Sequence, residues 1–403
     1  MLRNATTKTV RSAGRLIVCA LLAAMPLRAA PAPDSVPEVI VYPVEVTMGA
    51  SAVRNPAIAV SPEGRVTVVA EFGPRDAGRL AVAEFSFRGH PFVAPLALAG
   101  PGDCRRPCLT YDTSGTVHLL WEEQTSGTYA IRYAWRTTDH AWHDGGVISQ
   151  TPGLDCEFPQ AAWEKGSGRL WAAWHAGMGT RFGIHLAMRE GGSPFALIDV
   201  PGSAGDHHNL RPQLFPDSPY LLLWYQEIET AFALRAAVFD EEKQQVQVLT
   251  PLDFDRLDAR KTPELFQAPS GMLGGVWNDL VGDRNRVLVG LQDPEIRGKG
   301  LVADTTLSGE AMEPCAVAVG DWTVALAWMS REPAGSAICL GQLDGRTTIG
   351  QSLALQVSPR VAGDDAVSRP RLAAGPGRLV HCVWFSDAVY GGSGCLYYAV
   401  ARY

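Results

Sequence analysis

A motif of a proline followed by an apolar run that ends in tryptophan repeats seven times along this chain, and it constrains the fold more than any other feature. The tryptophan, or Ala70 in the first repeat, follows each proline by twelve to fifteen residues. A turn residue, usually glycine, opens the run, as is typical of a β-strand between two turns. The prolines recur at spacings of 51 to 56 residues, and they are Pro56, Pro107, Pro159, Pro212, Pro263, Pro314 and Pro370. The tryptophans are Trp121, Trp174, Trp224, Trp277, Trp328 and Trp384.

Each repeat also contains further β-rich runs and no convincing amphipathic helix, a pattern typical of a four-stranded propeller blade. We therefore predict an all-β fold, a single seven-bladed β-propeller over residues 31–403. The last repeat ends at Tyr403, after its third strand, while residues 38–48 alternate as a strand before the first repeat. We expect this N-terminal strand to join the last blade and close the ring, because an open ring would expose two sheet edges. The tryptophans are expected to pack between adjacent blades.

The first thirty residues have the pattern of a secretory signal. A basic segment that ends at Arg15 precedes the apolar run 16–27 and the small residues Ala29 and Ala30. We predict that residues 1–30 are removed on export and that the protein is secreted or periplasmic. The segment carries five basic and no acidic residues, so its removal changes the formal net charge from −7 to −12. An acidic body disfavours a nucleic-acid or anionic-membrane partner, and no later run is long enough for a membrane helix.

Export makes disulfides possible, and two cysteines occupy equivalent places in consecutive repeats. Cys104 and Cys156 each stand three residues before a repeat proline. We predict a disulfide between them at the inner rim of the ring, the alternative being two small buried side chains. No metal-site spacing or phosphate-binding glycine loop is present, so no metal or cofactor is expected.

The chemistry is expected on one face of the propeller. In this fold the loop before the innermost strand and the loop after the second strand meet around the central channel. Arginines precede four of the prolines and become substrate-binding candidates, together with His175: Arg54, Arg106, Arg211 and Arg369. Repeats seven, one and two are neighbours in a closed ring, so Arg54, Arg106 and Arg369 are expected to form a clamp for a carboxylate or sulfate. The alternative is that each arginine bonds blade-tip carbonyls or a neighbouring acid.

Five catalytic candidates follow a repeat tryptophan, and a sixth, His207, stands in the loop before Arg211. Carboxylates there would supply the acid and base that glycoside hydrolysis needs, and His207 would abstract a proton in an elimination reaction. The alternative is that these groups are only solvated. The candidates are Glu122, Tyr225, Glu227, Asp279, Asp387 and His207.

The segment from Arg106-Pro107 through Gly115-Thr116-Val117-His118-Leu119-Leu120-Trp121 to Tyr129-Ala130-Ile131-Arg132-Tyr133-Ala134 resembles the repeats of secreted sialidase-like propellers, the BNR-repeat proteins. Sialidases hold the substrate carboxylate with three arginines, so the resemblance implies that Arg54, Arg106 and Arg369 form such a clamp. Seven-bladed propellers with similar repeats include polysaccharide lyases and lectins. The resemblance thus implies an exported propeller that binds an acidic glycan or polysaccharide, with hydrolysis and elimination both open. The alternative is a non-catalytic module that binds a glycan or a protein, or that belongs to a surface assembly.

Overall fold

Seven four-stranded antiparallel blades follow one another along the chain, one for each repeat, which confirms the predicted propeller. The structure is a computed structural model, and within Ser35–Tyr403, which forms one compact unit, it describes the following residues: 37–46, 53–74, 76–86, 91–98, 102–138, 141–149, 153–179, 181–203, 205–206, 212–215, 218–228, 231–243, 245–248, 264–269, 273–281, 284–292, 300–302, 304–305, 310–344, 351–352, 355–358, 367–386 and 395–403. The proposed signal segment lies outside them. The described part of the chain contains no helix with the length and hydropathy needed to span a membrane.

The strands are numbered along the chain, and within each blade they run from the channel outward. The first strand is β1 (Glu38–Val46), and blade 1 is β2 (Arg54–Val60), β3 (Val66–Phe72), β4 (Arg79–Phe85) and β5 (Pro91–Leu98). Blade 2 is β6 (Cys104–Tyr111), β7 (Val117–Thr125), β8 (Thr128–Arg136) and β9 (Trp142–Val147). Blade 3 is β10 (Asp155–Glu164), β11 (Arg169–Met178), β12 (Arg181–Glu190) and β13 (Ala196–Ile198), with β14 (Gly205–Asp206) paired to β12. Blade 4 is β15 (Gln213–Phe215), β16 (Ser218–Ile228), β17 (Ala231–Asp240) and β18 (Gln245–Val248).

Blade 5 is β19 (Glu264–Gln267), β20 (Leu273–Val281), β21 (Arg284–Gln292) and β22 (Gly300–Val302). Next comes β23 (Asp304–Thr305), which pairs in parallel with β27 (Gln351–Ser352). Blade 6 is β24 (Glu310–Ala318), β25 (Thr323–Glu332), β26 (Gly335–Asp344) and β28 (Leu355–Gln356). Blade 7 is β29 (Val367–Gly375), a 3-10 turn at Pro376–Arg378, β30 (Leu379–Ser386) and β31 (Cys395–Arg402).

Strand β1 closes the ring as the sequence predicted. It pairs antiparallel with β31, from Glu38 opposite Arg402 to Val46 opposite Leu396, and so supplies the outer strand of blade 7. Val39 packs against the apolar cluster between blades 6 and 7. The last blade therefore gains a covered edge and a completed core from the opposite end of the chain.

In five of the seven blades the repeat proline sits in a β-bulge of the innermost strand. Proline has no N–H for the sheet ladder, and the register shifts by one residue around it in blades 1, 2, 3, 6 and 7. The residue before the proline takes a left-handed backbone conformation that non-glycine residues rarely adopt. Its φ is between 45° and 56° at Asn55, Arg106, Phe158 and Glu313. This turn directs the N–H of the bulged residue out of its own blade.

The repeat tryptophans pack between blades, as expected. Trp174 of blade 3 is fully buried among side chains of blade 2 that include Leu120 and Tyr133. Trp121, Trp224, Trp328 and Trp384 occupy corresponding clusters with the blade before their own. The tryptophan side chain at this fixed position of the repeat thus stabilises the contact between each of these blades and the blade before it.

The predicted disulfide between Cys104 and Cys156 is not formed. Both thiols are buried, but they belong to different apolar clusters: Cys104 packs between blades 1 and 2, and Cys156 between blades 2 and 3. Their equivalent places in the repeat therefore put each one in its own interblade core, with the body of blade 2 between those cores. The two cysteines are therefore small buried side chains, which is the alternative that the sequence left open.

Candidate functional site

The innermost strands enclose a central channel with a cavity of about 1120 Å³. The channel mouth is the end at which these strands begin and the bulged residues stand. Arg106 and Phe158, the bulged residues of blades 2 and 3, both line the cavity there. The loop geometry inferred from the sequence is therefore correct for these two blades.

Arg106 holds two carboxylates at the mouth. Its Nη1 atom lies 3.0 Å from Oε1 of Glu122 in β7 and 2.7 Å from Oε2 of Glu157 in β10. The two carboxylate oxygens are thus separated by less than the sum of those distances. The Arg106 side chain is 35% exposed, Glu157 is 28% exposed, and Glu122 is only 1% exposed. One guanidinium therefore joins a buried carboxyl group to a solvent-facing one.

The two carboxyl groups have pKa values on opposite sides of their ordinary one. Burial raises the pKa of Glu122 to about 7, although Arg106 and the Phe158 N–H act to lower it. The His175 side chain and Arg106 lower the pKa of Glu157 to about 2. Neighbouring acids in different environments that separate their pKa values are typical of functional sites. Glu157 stays ionised, and Glu122 gains or loses a proton near neutral pH.

Aromatic side chains fix the guanidinium and the histidine. The Phe158 ring lies under Arg106, with the guanidinium carbon 4.0 Å from the ring centre. The same ring meets His175 edge-on at 4.9 Å. His175 is buried, and its Nε2 is 3.8 Å from Glu157 Oε2. His175 therefore stands behind Glu157 and against the Phe158 ring, and its role in substrate binding stays a prediction.

The remaining donors of Arg106 are uncommitted. Its side-chain hydrogen bonds to described residues all leave from Nη1, and Nε and Nη2 make none with those residues. These two N–H groups lie on one edge of the guanidinium, the arrangement that bonds a carboxylate or sulfate in a bidentate way. Arg106 is thus held rigidly on one side and open on the other.

Arg54 plays a different part from the one predicted. The register pairs Arg54 with Glu71 and Arg105 with Glu122, so Arg54 corresponds to Arg105, and Asn55 corresponds to Arg106. The Arg54 Nε is 2.8 Å from Glu71, and its Nη atoms donate to the carbonyl oxygens of Gly73 and Pro74 at 2.7 and 2.9 Å. Arg54 therefore closes the tip of its own blade, which was the alternative considered from the sequence.

The other predicted residues are described only in part. Arg369 lies at the bulge of β29, and Tyr225, Glu227 and Asp279 lie at the same end of β16 and β20, but only their backbones are described. Tyr225 follows Trp224 as Glu122 follows Trp121, so its backbone occupies the corresponding position. Three candidates lie outside the described residues: Arg211, His207 and Asp387. Within the described ranges no group of three or more His, Cys, Asp or Glu side chains is arranged to hold a metal ion.

Sequence reasoning missed Glu157 and Arg371. Glu157 stands two residues before its proline, at the position of Arg54 and Arg105 in their repeats. Arg371 directly follows Pro370 and lines the channel. A comparison of charged residues on both sides of every repeat proline, rather than of arginines before it, would have indicated both.

Comparison with known proteins identifies the fold. No family model and no curated protein matches the sequence. An ulvan lyase described as a new family of polysaccharide lyase aligns with a TM-score of 0.53 at 12% identity, over 88% of this chain and 96% of that one. The polysaccharide lyase Uly1 aligns with a TM-score of 0.52 at 10% identity, over 86% and 89%. An α-L-arabinanase of Penicillium chrysogenum aligns with a TM-score of 0.50 at 15% identity, over 73% and 92%. At these identities the shared property is the propeller fold.

Proposed function

We propose that this chain is an exported propeller that binds an acidic polysaccharide at its channel mouth, with Arg106 as the anchor for a carboxylate or sulfate group. The observation that carries the proposal is the geometry of that guanidinium. Glu122 and Glu157 hold Nη1, the Phe158 ring supports one face, and no described residue bonds Nε or Nη2. A charged group held in advance loses little side-chain freedom on binding.

Protonation of Glu122 favours an anionic ligand. With both glutamates ionised, the cluster of Arg106, Glu122 and Glu157 carries one net negative charge. When Glu122 takes up a proton, the cluster becomes neutral and repels an incoming carboxylate less. Its pKa of about 7 places this change near neutral pH. Binding of the acidic polymer is therefore expected to strengthen as the pH falls below neutrality.

Cleavage of the bound polymer is a second candidate function. The similar folds above include two polysaccharide lyases and an arabinanase, and each of these acts on a polysaccharide. Glu122 is too deeply buried to reach a glycosidic oxygen, and a carboxylate with the pKa of Glu157 is a weak base. Tyr225, Glu227 and His207, which the sequence assigns to the same face, would have to supply the proton transfers.

A panel of polysaccharides tests both the proposed binding and the candidate cleavage. Affinity electrophoresis of the purified protein in gels that contain a uronic-acid polymer, a sulfated polymer or a neutral polymer reports binding. We expect retardation by at least one acidic polymer and none by the neutral one. Ultraviolet absorbance of unsaturated ends would identify elimination, and reducing ends without that absorbance would identify hydrolysis. Equal migration in all gels would refute the proposal, and retardation without product would limit it to binding.

A further inference from the structure

The residues that follow the repeat prolines form a layer of the channel wall below the mouth. Four of them have long polar side chains that line the cavity: Gln160, Gln213, Glu264 and Arg371. They stand two residues beyond the bulged positions, so the layer is roughly 6 Å deeper than Arg106 at the usual rise per strand residue. We call it the post-proline layer.

Arg371 is the cation of this layer. Its Nη1 lies 2.6 Å from Oε2 of Glu264, and this ion pair joins blade 7 to blade 5 past blade 6. The Arg371 side chain is 43% exposed, so it stands in the channel rather than in a blade core. Its side-chain hydrogen bond to a described residue leaves from Nη1, and Nε and Nη2 make none with the described residues. Among the described residues, the guanidinium is thus held through Nη1, and the edge formed by Nε and Nη2 has no hydrogen-bond partner.

The two glutamines add uncommitted donors. The Oε1 atom of Gln213 accepts a hydrogen bond from the backbone N–H of Leu265 at 3.0 Å, which fixes the side-chain amide. Its NH₂ group has no hydrogen-bond partner among the described residues. The amide of Gln160 has no hydrogen-bond partner within the described residues, although it lines the same cavity. Amide and guanidinium donors beside a carboxylate acceptor are the groups that recognise hydroxyl and carboxylate oxygens.

Small residues leave space next to Arg371. The other post-proline positions are Ala57 in blade 1, Cys108 in blade 2 and Cys315 in blade 6. Blade 7 lies between blades 6 and 1 in the closed ring, so Arg371 has the short Ala57 side chain on the blade 1 side; on the blade 6 side Cys315 is buried between the blades, and Glu313 lines the cavity. The long side chains come from blades 3, 4 and 5. The layer is therefore lined by short side chains in blades 1 and 2, Ala57 and Cys108.

We infer that the post-proline layer is a second binding site, for a small hydroxylated carboxylate of the size of a single uronic acid. Arg371 takes the carboxylate, while Glu264 and the two glutamines bond hydroxyl groups. The site is distinct from the proposed polysaccharide anchor, because it uses none of the residues that hold Arg106. It is also independent of whether a polymer binds at the mouth.

Isothermal titration with D-glucuronate, and with D-glucose as the uncharged probe, tests the inference. We expect the whole protein to bind glucuronate at least tenfold more tightly than glucose. Arg371→Gln removes the charge, and Ala57→Leu fills the space without changing any charge, so each should weaken glucuronate binding at least tenfold. Arg378→Gln is the matched control, because Arg378 lines the opposite end of the same cavity and is exposed. It should bind as the unaltered protein does.

Two results would overturn the inference: no heat of binding with glucuronate up to millimolar concentrations, or unchanged affinity in both Arg371→Gln and Ala57→Leu. Thermal melts confirm that each variant is folded. Because one variant removes a charge and the other fills space, either one tests the inference if the other does not fold. Arg106→Gln separates this site from the mouth. That variant should still bind glucuronate in the post-proline layer, even if an acidic polymer in the gel no longer retards its migration.

Discussion

The Glu122 carboxylate of blade 2 accepts a hydrogen bond from the backbone N–H of Phe158 in blade 3, at 2.7 Å. An equivalent bond joins blade 1 to blade 2, from the Arg106 N–H to Glu71 at 2.6 Å. In both cases the donor is the left-handed residue before a repeat proline. The carboxylate therefore stabilises a costly backbone conformation and links neighbouring blades. Because that residue also carries the channel-facing side chain, the link fixes the candidate site.

Replacement of Arg106 tests the anchor. Arg106→Gln should weaken binding of the acidic polymer by roughly ten- to a hundredfold, since a charge-assisted hydrogen bond contributes about 1.5 to 3 kcal/mol. Arg54→Gln is the matched control: it removes an arginine that bonds its own blade tip, so it should lower the melting temperature without changing affinity. Affinity electrophoresis and thermal melts measure the two effects. Equal loss of binding in both variants would contradict the assignment.

Replacement of Glu122 tests its raised pKa. Between about pH 4.5, the ordinary value, and about pH 7, the unfolded chain loses this proton while the native protein keeps it. The unfolding free energy therefore falls as the pH rises through this range. Glu122→Gln should remove that part of the slope in urea denaturation measured across the range.

Glu157→Gln provides the control for that experiment. The pKa of Glu157 is lowered to about 2, so its contribution to stability is present above about pH 4.5 and is lost as the pH falls towards 2. This variant should keep the slope between pH 4.5 and 7. Loss of the same slope in both variants would mean that the slope does not report Glu122.

Removal of strand β1 tests ring closure. A chain that begins at residue 49 leaves β31 with an open edge and uncovers the cluster against which Val39 packs. Its melting temperature should fall by about 10 °C or more, which corresponds to a loss of several kcal/mol. A chain that begins at residue 35 keeps β1 and should melt as the full chain does. Equal melting of both truncated chains would show that β1 is dispensable.

The cysteines give a prediction opposite to the one made from the sequence. Because Cys104 and Cys156 lie in separate interblade clusters, peptide mapping under non-reducing conditions should find both thiols alkylated and no linked peptide. Addition of a reductant should leave the melting temperature unchanged. A peptide that joins the two cysteines would contradict their separation into two interblade clusters.

Part of the site was predictable because the repeat defines equivalent positions. Glu122 and Arg106 were identified as facing residues from their places after a tryptophan and before a proline. Arg54 was misplaced by one residue, because it stands two residues before its proline and so corresponds to Arg105, whereas Arg106 stands directly before its own. A shift of one residue changes the side of a strand on which a side chain lies, so a residue two before the proline has different neighbours from one directly before it.

The sequence by itself determined the seven blades, the strand that closes the ring and the burial of the tryptophans, because these follow from periodicity and from the need to cover sheet edges and apolar rings. Only the tertiary structure decided which charges meet. Glu157 reaches Arg106, and Arg371 reaches Glu264 past blade 6, because the ring brings together residues separated by 51 and 107 positions. Periodicity fixes where a side chain starts, whereas its partner depends on the curvature of the ring and on the bulges that turn each strand.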